Sequence, residues 1–284
     1  MKCIICNSAM NFFFSKRFDA FGLEMADYWQ CTECGFVISK THAELTAAEW
    51  ERVNYLCHGS YQGSEADPGD PRWQARLRSQ ARVIKDLQQL GLLDEKGHLL
   101  DYACGDGKLS DLVKADSGLN LLKYERFMRK PEGYLDDKDL VSGTFDFVIT
   151  TSVFEHMRTR QEFDNVEALV RRTGVLGLHT LVCENVPADP AWYYMNPVHS
   201  SFHTNRSMEI LLRQWGYGCS VYNVEAQLWL WFKSGPKEVR AIFESANRRS
   251  NDPKYVFKEG FVDYWKCAPY RKPVAETVTK SQEG

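Results

Sequence analysis

The chain has 284 residues, of which 44% are hydrophobic and 26% charged, a balance that folded domains show and that excludes extended disorder. Its 35 basic and 38 acidic residues leave a formal charge of −3, which argues against a nucleic-acid partner, since proteins that grip polyanions carry a basic excess. No apolar run approaches the roughly 18 residues of a membrane span, and Met1-Lys2-Cys3-Ile4-Ile5-Cys6 shows no export signal, so a cytoplasmic location is expected.

Residues 1 to about 40 read as a small β-rich unit, with Asn11–Phe14, Tyr28–Gln30 and Cys34–Ile38 as short strand-like runs. A unit of this size cannot hold itself together by burial and calls for a staple. Thr41-His42-Ala43-Glu44 places an acid three positions after a threonine, the spacing of a capping box, and predicts a helix from there to about Cys57. His58–Asp70, with Gly59, Gly63, Pro68 and Gly69, reads as a loop. Asp70-Pro71 then opens a long helix through Trp73, Leu77, Ala81, Ile84 and Leu87 to Gly91, its apolar residues three and four apart.

From there strands and helices alternate. His98–Cys104, Leu119–Tyr124, Phe145–Thr150 and Val175–Val182 read as strands, and Lys108–Ala115, Gln161–Arg172 and Ser207–Trp215 as helices. This alternation predicts a Rossmann-like α/β fold, a doubly wound and mostly parallel sheet covered on both faces. Tyr217–Val224 and Leu228–Phe232 predict an antiparallel hairpin at its edge, and Gly235-Pro236 precedes a helix over Lys237–Asn247 and a polar tail. The expected organisation is a small β-rich unit over residues 1–40, a helical linker and N-terminal helices over 41–92, the Rossmann-like domain over 93–235, and a C-terminal helix and tail over 236–284.

Nine cysteines in a chain without an export signal favour metal ligation or free thiols over disulfides. Cys3-x-x-Cys6 and Cys31-x-x-Cys34 each place two sulfurs on one tight turn, and the 24 residues between the pairs suffice for two or three strands. Two such turns make a closed tetrahedral site, so a structural Zn2+ is expected on Cys3, Cys6, Cys31 and Cys34. Such a site contributes folding rather than chemistry. The bland alternative is four unrelated thiols.

Leu99 to Leu109 reads as a strand, a glycine turn and a helix start. Gly105 and Gly107 let the backbone approach a ligand, and helix-terminal N–H groups can face a carboxylate or phosphate. Glu125 ends the next strand, twenty residues after Gly105, where an acid can bind two ribose hydroxyls. Alone this is compatible with a dinucleotide site, but Gly105-x-Gly107-x-x-Ser110 lacks a third glycine or alanine, and Asp101 stands before the turn.

In these residues the chain resembles the class I S-adenosylmethionine-dependent methyltransferases, whose first motif is an apolar strand ending in an acid, followed by Gly-x-Gly-x-Gly. Here Leu-Leu-Asp-Tyr-Ala-Cys-Gly-Asp-Gly departs by Ala103 at the first glycine. Gly143 to His156 resembles the family's fourth strand and the Glu-His pair after it. Pro197–Thr204, Ser207-Met208 and Trp215-Gly216-Tyr217 resemble its late segment. The resemblance covers roughly residues 70–235. It implies S-adenosylmethionine as cofactor, held by Asp101, Ala103, Gly105, Gly107, Glu125, Thr150 and Ser152, with Tyr61 closing over it. Some ubiquinone-type relatives carry a further upstream glutamate and a divalent metal in this region; Ser152 stands at that place, so no catalytic metal is expected. A cysteine-pair module before such a domain resembles sugar-tailoring methyltransferases, so the implied acceptor is a small molecule: a sugar, nucleotide-sugar or glycan precursor. The C-methylating relatives carry a further C-terminal domain for which this chain has no room, and methylation at oxygen or carbon stays open.

Methyl transfer to a hydroxyl needs alignment and removal of a proton. His156 is the candidate base: histidine titrates near neutrality, and this one follows a strand at the end where open α/β sheets bind ligands. Glu155 is its candidate orienter, or a helix cap. A histidine hydrogen-bonded in a turn is the plain alternative. His199 and His203 lie in a loop that can roof a substrate. Trp192-Tyr193-Tyr194 can stack on a sugar or simply pack, and Trp229 and Trp231 read as core. Three rivals stand beside this reading: an RNA methyltransferase, an inactive module that binds the cofactor, and an NAD-dependent oxidoreductase. Residues 1–40 hold only Lys2, Lys16, Arg17 and Lys40 as bases, which is thin for RNA, and the pyrophosphate turn an NAD enzyme needs is missing. The oligomeric state is left undefined.

Overall fold

Two sheets, one of five strands and one of seven, frame the computed structural model, which describes residues 1–62, 71–128, 132–251 and 254–263. The chain begins with β1 (Met10–Ala20), β2 (Leu23–Cys31) and β3 (Val37–Ser39). β1 and β2 form an antiparallel hairpin whose tip, Phe21-Gly22, takes positive φ at both residues, and β2 pairs antiparallel with β3. One cysteine pair precedes β1, and the other fills the turn between β2 and β3.

Two helices follow, α1 (Lys40–Glu44) and α2 (Ala47–Gln62). The expected capping box at Thr41 is displaced. Ser39 caps α1 by accepting from the His42 N–H at 3.3 Å, because the Thr41 hydroxyl is taken by the Asp27 N–H at 2.9 Å. The box belongs to α2: Thr46 N–H donates to Glu49 Oε2 at 2.8 Å, and Glu49 N–H donates to Thr46 Oγ1 at 3.3 Å. α2 also runs five residues past Cys57, so His58 and Tyr61 stand on a helix rather than in a loop. Asp70 and the rest of the predicted loop from residue 63 lie outside the described residues.

The α/β half comprises α3 (Pro71–Gln89), β4 (Leu99–Tyr102), α4 (Lys108–Ser117), β5 (Leu121–Tyr124), β6 (Phe145–Thr151), α5 (Arg160–Leu169), β7 (Val170–His179), β8 (Val182–Cys183), β9 (Ser201–Thr204), α6 (Asn205–Gln214), β10 (Cys219–Asn223), β11 (Leu228–Phe232), α7 (Pro236–Arg248) and β12 (Tyr255–Glu259). The seven-stranded sheet has the order β12-β10-β11-β7-β6-β4-β5. β4 to β7 are parallel, while β11 pairs antiparallel with β7, and β10 with β11 and β12. Alternate residues of each strand feed opposite cores. Leu99, Phe147, Ile149 and Leu230 meet Leu77, Ile84, Leu109, Val113 and Phe243 of α3, α4 and α7. Leu100, Val148, Leu176 and Trp231 meet Phe163, Val166, Met208 and Leu211 of α5 and α6. Each such large side chain contributes about 1.5–3 kcal/mol on burial, which is why helices cover both faces.

Two details differ from expectation. α5 stops at Leu169, not Arg172, and Val170 begins β7, whose Arg171 pairs with Asp146 of the neighbouring β6 at 2.5 Å. The hairpin of β10 and β11 lies one strand in from the edge, because β12, in the stretch read as a polar tail, covers it; the register puts Tyr222 opposite Val256. Lys258 and Glu259 keep that outer strand charged, as an exposed edge requires.

β9, from the α/β half of the chain, extends the N-terminal sheet. It pairs antiparallel with β3, Val37 opposite Phe202 and Ile38 opposite Ser201, and parallel with β8, giving the order β1-β2-β3-β9-β8. The N-terminal unit is thus continuous with a strand from the α/β half. Thr204 Oγ1 donates to the Cys34 carbonyl, and Gln214 Nε2 donates to that of Ile5 at 2.9 Å. Cys3, Cys31 and Cys34 share one apolar core with Phe163 and Met208. Among the described residues no helix is long and apolar enough to cross a membrane.

Candidate active site

The turn from β4 to α4 holds a backbone that few side chains accept. Ala103, Gly105 and Gly107 have φ of +55°, +58° and +73°. At Gly107 a Cβ would lie 2.8 Å from Tyr134 Oη and 2.9 Å from the Lys123 side chain, so those two side-chain ends would have to shift, and the backbone conformation itself favours glycine. Ala103 occupies the left-handed region at a cost of about 1–2 kcal/mol. Asp101 is 1% exposed; Ser110 Oγ donates to its Oδ2 at 2.8 Å, and its Oδ1 has no partner. Burial pushes its carboxyl up to about 7.

Glu125, just after β5, lies against the same turn. Its Oε2 accepts from Gly105 N–H at 2.9 Å, and its Oε1 from Phe127 and Met128 N–H at 2.7 and 3.3 Å. Thr150 pairs in register with Tyr102 across β6 and β4 and is fully buried, with Oγ1 unpartnered. Ser152 takes a positive φ of 58° and donates its N–H to the His179 carbonyl at 2.8 Å. Two buried, unpartnered oxygens and a backbone cleared of side chains suit a cationic ligand rich in hydrogen-bonding groups, and S-adenosylmethionine is one.

A second cluster lies beyond the end of β6. A short 3-10 turn, Phe154–His156, presents Glu155 and His156. Glu155 is buried, and its oxygens accept from Thr180 Oγ1 at 2.8 Å and Tyr194 Oη at 2.6 Å. It makes no hydrogen bond to His156, and α5 is capped by Thr159 with Glu162, so Glu155 does not serve as that helix cap. The His156 ring stacks on that of His58 at 5.5 Å and meets His199 edge-on at 5.1 Å. Desolvation, with the other two imidazoles beside it, holds His156 well below the ordinary histidine value. Burial likewise lowers His58 and His199, and it raises the Tyr194 hydroxyl, with Glu155 adding to the effect. Tyr194 therefore stays a donor. His58 also feels the charge of Glu125.

The N-terminal sheet grips the loop that carries His199. Tyr28 Oη donates to the His199 carbonyl at 3.1 Å, and His42 Nε2 donates to that of Pro197 at 2.9 Å. Ser39 N–H donates to Ser200 O at 2.7 Å, and Ser200 N–H to Glu155 O at 2.8 Å. Arg158 ties in α1 by donating to the carbonyls of His42 and Leu45 at 3.0 and 2.9 Å.

The four cysteine sulfurs gather at one point. Cys3 and Cys34 are 3.7 Å apart, Cys6 and Cys31 3.4 Å, and Cys6 and Cys34 3.6 Å. Sulfurs 2.3 Å from a tetrahedral ion would stand about 3.8 Å apart. Backbone N–H groups of Ile5, Glu33 and Cys34 point at sulfur at 3.4 Å, the donors a thiolate site needs. This arrangement fits Zn2+.

Other expected residues fall elsewhere. Tyr61 sits on the last turn of α2. His203 is buried between Phe36, Phe154 and Phe163 rather than roofing a substrate, and neither ring nitrogen has a partner. Trp192 packs on Phe202 while Tyr193 is 69% exposed, and Trp229 and Trp231 are core. His58, Thr180 and the Tyr194 hydroxyl were not singled out by the sequence. Only their meeting in space marks them, for they come from three distant segments.

No curated protein matches the chain significantly. Solved structures that are similar include a SAM-dependent methyltransferase from Thermotoga maritima, 12% identical, covering 65% of this chain and 100% of its own at a TM-score of 0.40. The plantazolicin methyltransferase BpumL, bound to a monoazolic substrate analog and SAH, is 12% identical over 66% of this chain and 97% of its own, with a TM-score of 0.43. An O-methyltransferase family protein from Burkholderia thailandensis is 14% identical over 67% and 74%, with a TM-score of 0.37. Likenesses this distant decide nothing about the acceptor. A family model described as a methyltransferase domain matches residues 74–221, just over half of the chain, and the chain therefore belongs to that family, as an S-adenosylmethionine-dependent methyltransferase.

Proposed function

We propose that the enzyme methylates a small-molecule acceptor of the sugar, nucleotide-sugar or glycan-precursor class in the cytoplasm, with Zn2+ on the four cysteines as a structural staple. The observation that carries this reading is the stacking of His58 on His156, with the charge of Glu125, beside the glycine turn, also felt by His58. Asp101, the turn from Ala103 to Gly107, Glu125, Thr150 and Ser152 would hold the cofactor, which when bound supplies an electrophilic sulfonium methyl group. His156, kept neutral by its surroundings, accepts the acceptor's hydroxyl proton. Tyr194 and Thr180 fix the Glu155 carboxylate nearby, and the exposed ring of Tyr193 offers a face for a sugar. The resemblance of the cysteine-pair module to sugar-tailoring enzymes supports the acceptor class. No disulfide joins the eight described cysteines, which suits a reducing compartment.

The test is calorimetry of the zinc-loaded protein with S-adenosylmethionine and S-adenosylhomocysteine, with NAD as control, followed by a methyl-transfer panel of nucleotide-sugars, free glycans and RNA. Micromolar binding of both sulfur compounds and turnover on a sugar are expected. Turnover on RNA alone would sink the acceptor class, and cofactor binding without turnover anywhere would make the chain an inactive binding module.

A further inference from the structure

We propose that Glu155, His156 and His199 form a second, open metal site that takes one divalent first-row transition ion and, on that ion, an oxygen of the acceptor. One ligand atom from each of the three lies within 4.8 Å of the other two. Ligands about 2.1 Å from a tetrahedral ion stand roughly 3.4 Å apart, so closing the site asks for shifts of about an ångström, the scale of small side-chain rotations.

The supporting contacts are already in place. His199 Nδ1 lies 2.8 Å from the Tyr194 carbonyl, which can only accept. Nδ1 therefore carries the proton and Nε2 keeps its lone pair, the tautomer and anchorage that a metal-bound imidazole has. Glu155 receives one hydroxyl on each oxygen, which leaves each a further lone pair. It is 1% exposed, and the partners of its carboxylate are neutral hydroxyls rather than a cation. Buried carboxylates are as a rule paired with a cation or bound to a metal.

Two imidazole nitrogens and one carboxylate oxygen suit Zn2+, Fe2+ or Co2+, whereas Mg2+ and Ca2+ favour oxygen throughout. Three protein ligands leave a position open, in contrast to the closed set of four cysteines. The serine at position 152, on which the expectation of no catalytic metal rested, does not decide the matter, because His199 reaches the Glu-His pair from the segment before β9. An alcohol oxygen on the open position has its pKa lowered by the ion; its proton passes to solvent water, and no oxidant or reductant is involved. His156 then serves as a ligand instead of the proton acceptor. The site deepens the methyl-transfer reading and rests on it only for what occupies the open position.

The full-length protein is first loaded with one Zn2+ per chain and then titrated with Co2+ by calorimetry and visible absorption, without S-adenosylmethionine. A second equivalent is expected, with the weak bands of a nitrogen–oxygen site and no thiolate charge-transfer band. His199→Ala and Glu155→Gln lose it by about tenfold or more in affinity, with the first Zn2+ retained. A single ion per chain in the wild type, or a second ion that survives both substitutions, overturns the proposal. Should His199→Ala fail to fold, the wild-type imidazole nitrogen resonances decide: Nε2 of His199 shifts on adding Zn2+ if it is a ligand and stays put if it is not. A separate cofactor titration judges the methyltransferase reading, so the two can fail independently.

Discussion

At the proposed cofactor end most groups come from one strand, one turn and the next strand, between Asp101 and Glu125, whereas the other end gathers Tyr28, His42, His58, Glu155, Thr180 and His199 from across the chain. The Tyr28–His199 hydrogen bond alone spans 171 positions. The first end is shaped by local backbone, the second by tertiary pairing, above all by β3 against β9. Damage to the N-terminal sheet should therefore reach the acceptor end and spare the cofactor end.

The largest expected effect tests that division. Replacing Cys31 and Cys34 by serine removes two ligands of the proposed Zn2+ site; in small zinc modules such a metal contributes on the order of 10 kcal/mol to folding, comparable with the whole stability of a domain. Methyl transfer should fall by roughly a hundredfold or more as the His199 loop loses its clasp, while affinity for S-adenosylmethionine, read by calorimetry, stays within about threefold. Equal loss of both would break the comparison.

Gly107→Ala is the converse. Its positive φ and the 2.8–2.9 Å contacts with Tyr134 and Lys123 should weaken the cofactor by about 10- to 100-fold, with zinc content unchanged. A pH series sharpens the same end. Burial holds Asp101 at about 7, above its value in the unfolded chain. The stability linked to it is full below about pH 4 and is lost as pH rises through 7. Asp101→Asn should remove that slope in urea unfolding. Because a cationic cofactor prefers the ionised carboxylate, affinity should rise with pH by up to about tenfold per unit below 7 and then level off; a flat profile would separate Asp101 from the cofactor. The smallest effect is Ala103→Gly, which relieves a φ of +55° and should raise stability in thermal unfolding by up to about 1 kcal/mol.

What was legible follows the same division. Leu99 to Leu109 declared its strand, turn and helix because apolar period and glycine position are local properties, and the cysteine spacing declared a cluster for the same reason. Thr41 and Thr46 carry the same spacing to a glutamate, and the choice between them was made by Asp27, on a neighbouring strand. β12 was missed because its apolar run, Tyr255 to Phe257, is only three residues long before Lys258 and Glu259, and reads as tail until β10 is there to pair with it. Tyr194 sits in an aromatic run that reads as packing, and its hydroxyl gains meaning only opposite Glu155.

The shared edge between β3 and β9 also sets an order of events during synthesis. Val37 and Ile38 leave the ribosome some 165 residues before Ser201 and Phe202. At about 5–20 residues per second, the outer edge of β3 waits roughly ten to thirty seconds for its partner. Both cysteine pairs are available throughout that interval, so metal can close the hairpin early, but it leaves the open edge uncovered. An unpaired strand edge is a template for the wrong chain. During that interval the nascent N-terminus is most exposed to mispairing, and conditions that slow elongation or starve the cell of zinc should show first as aggregation of partly made chains.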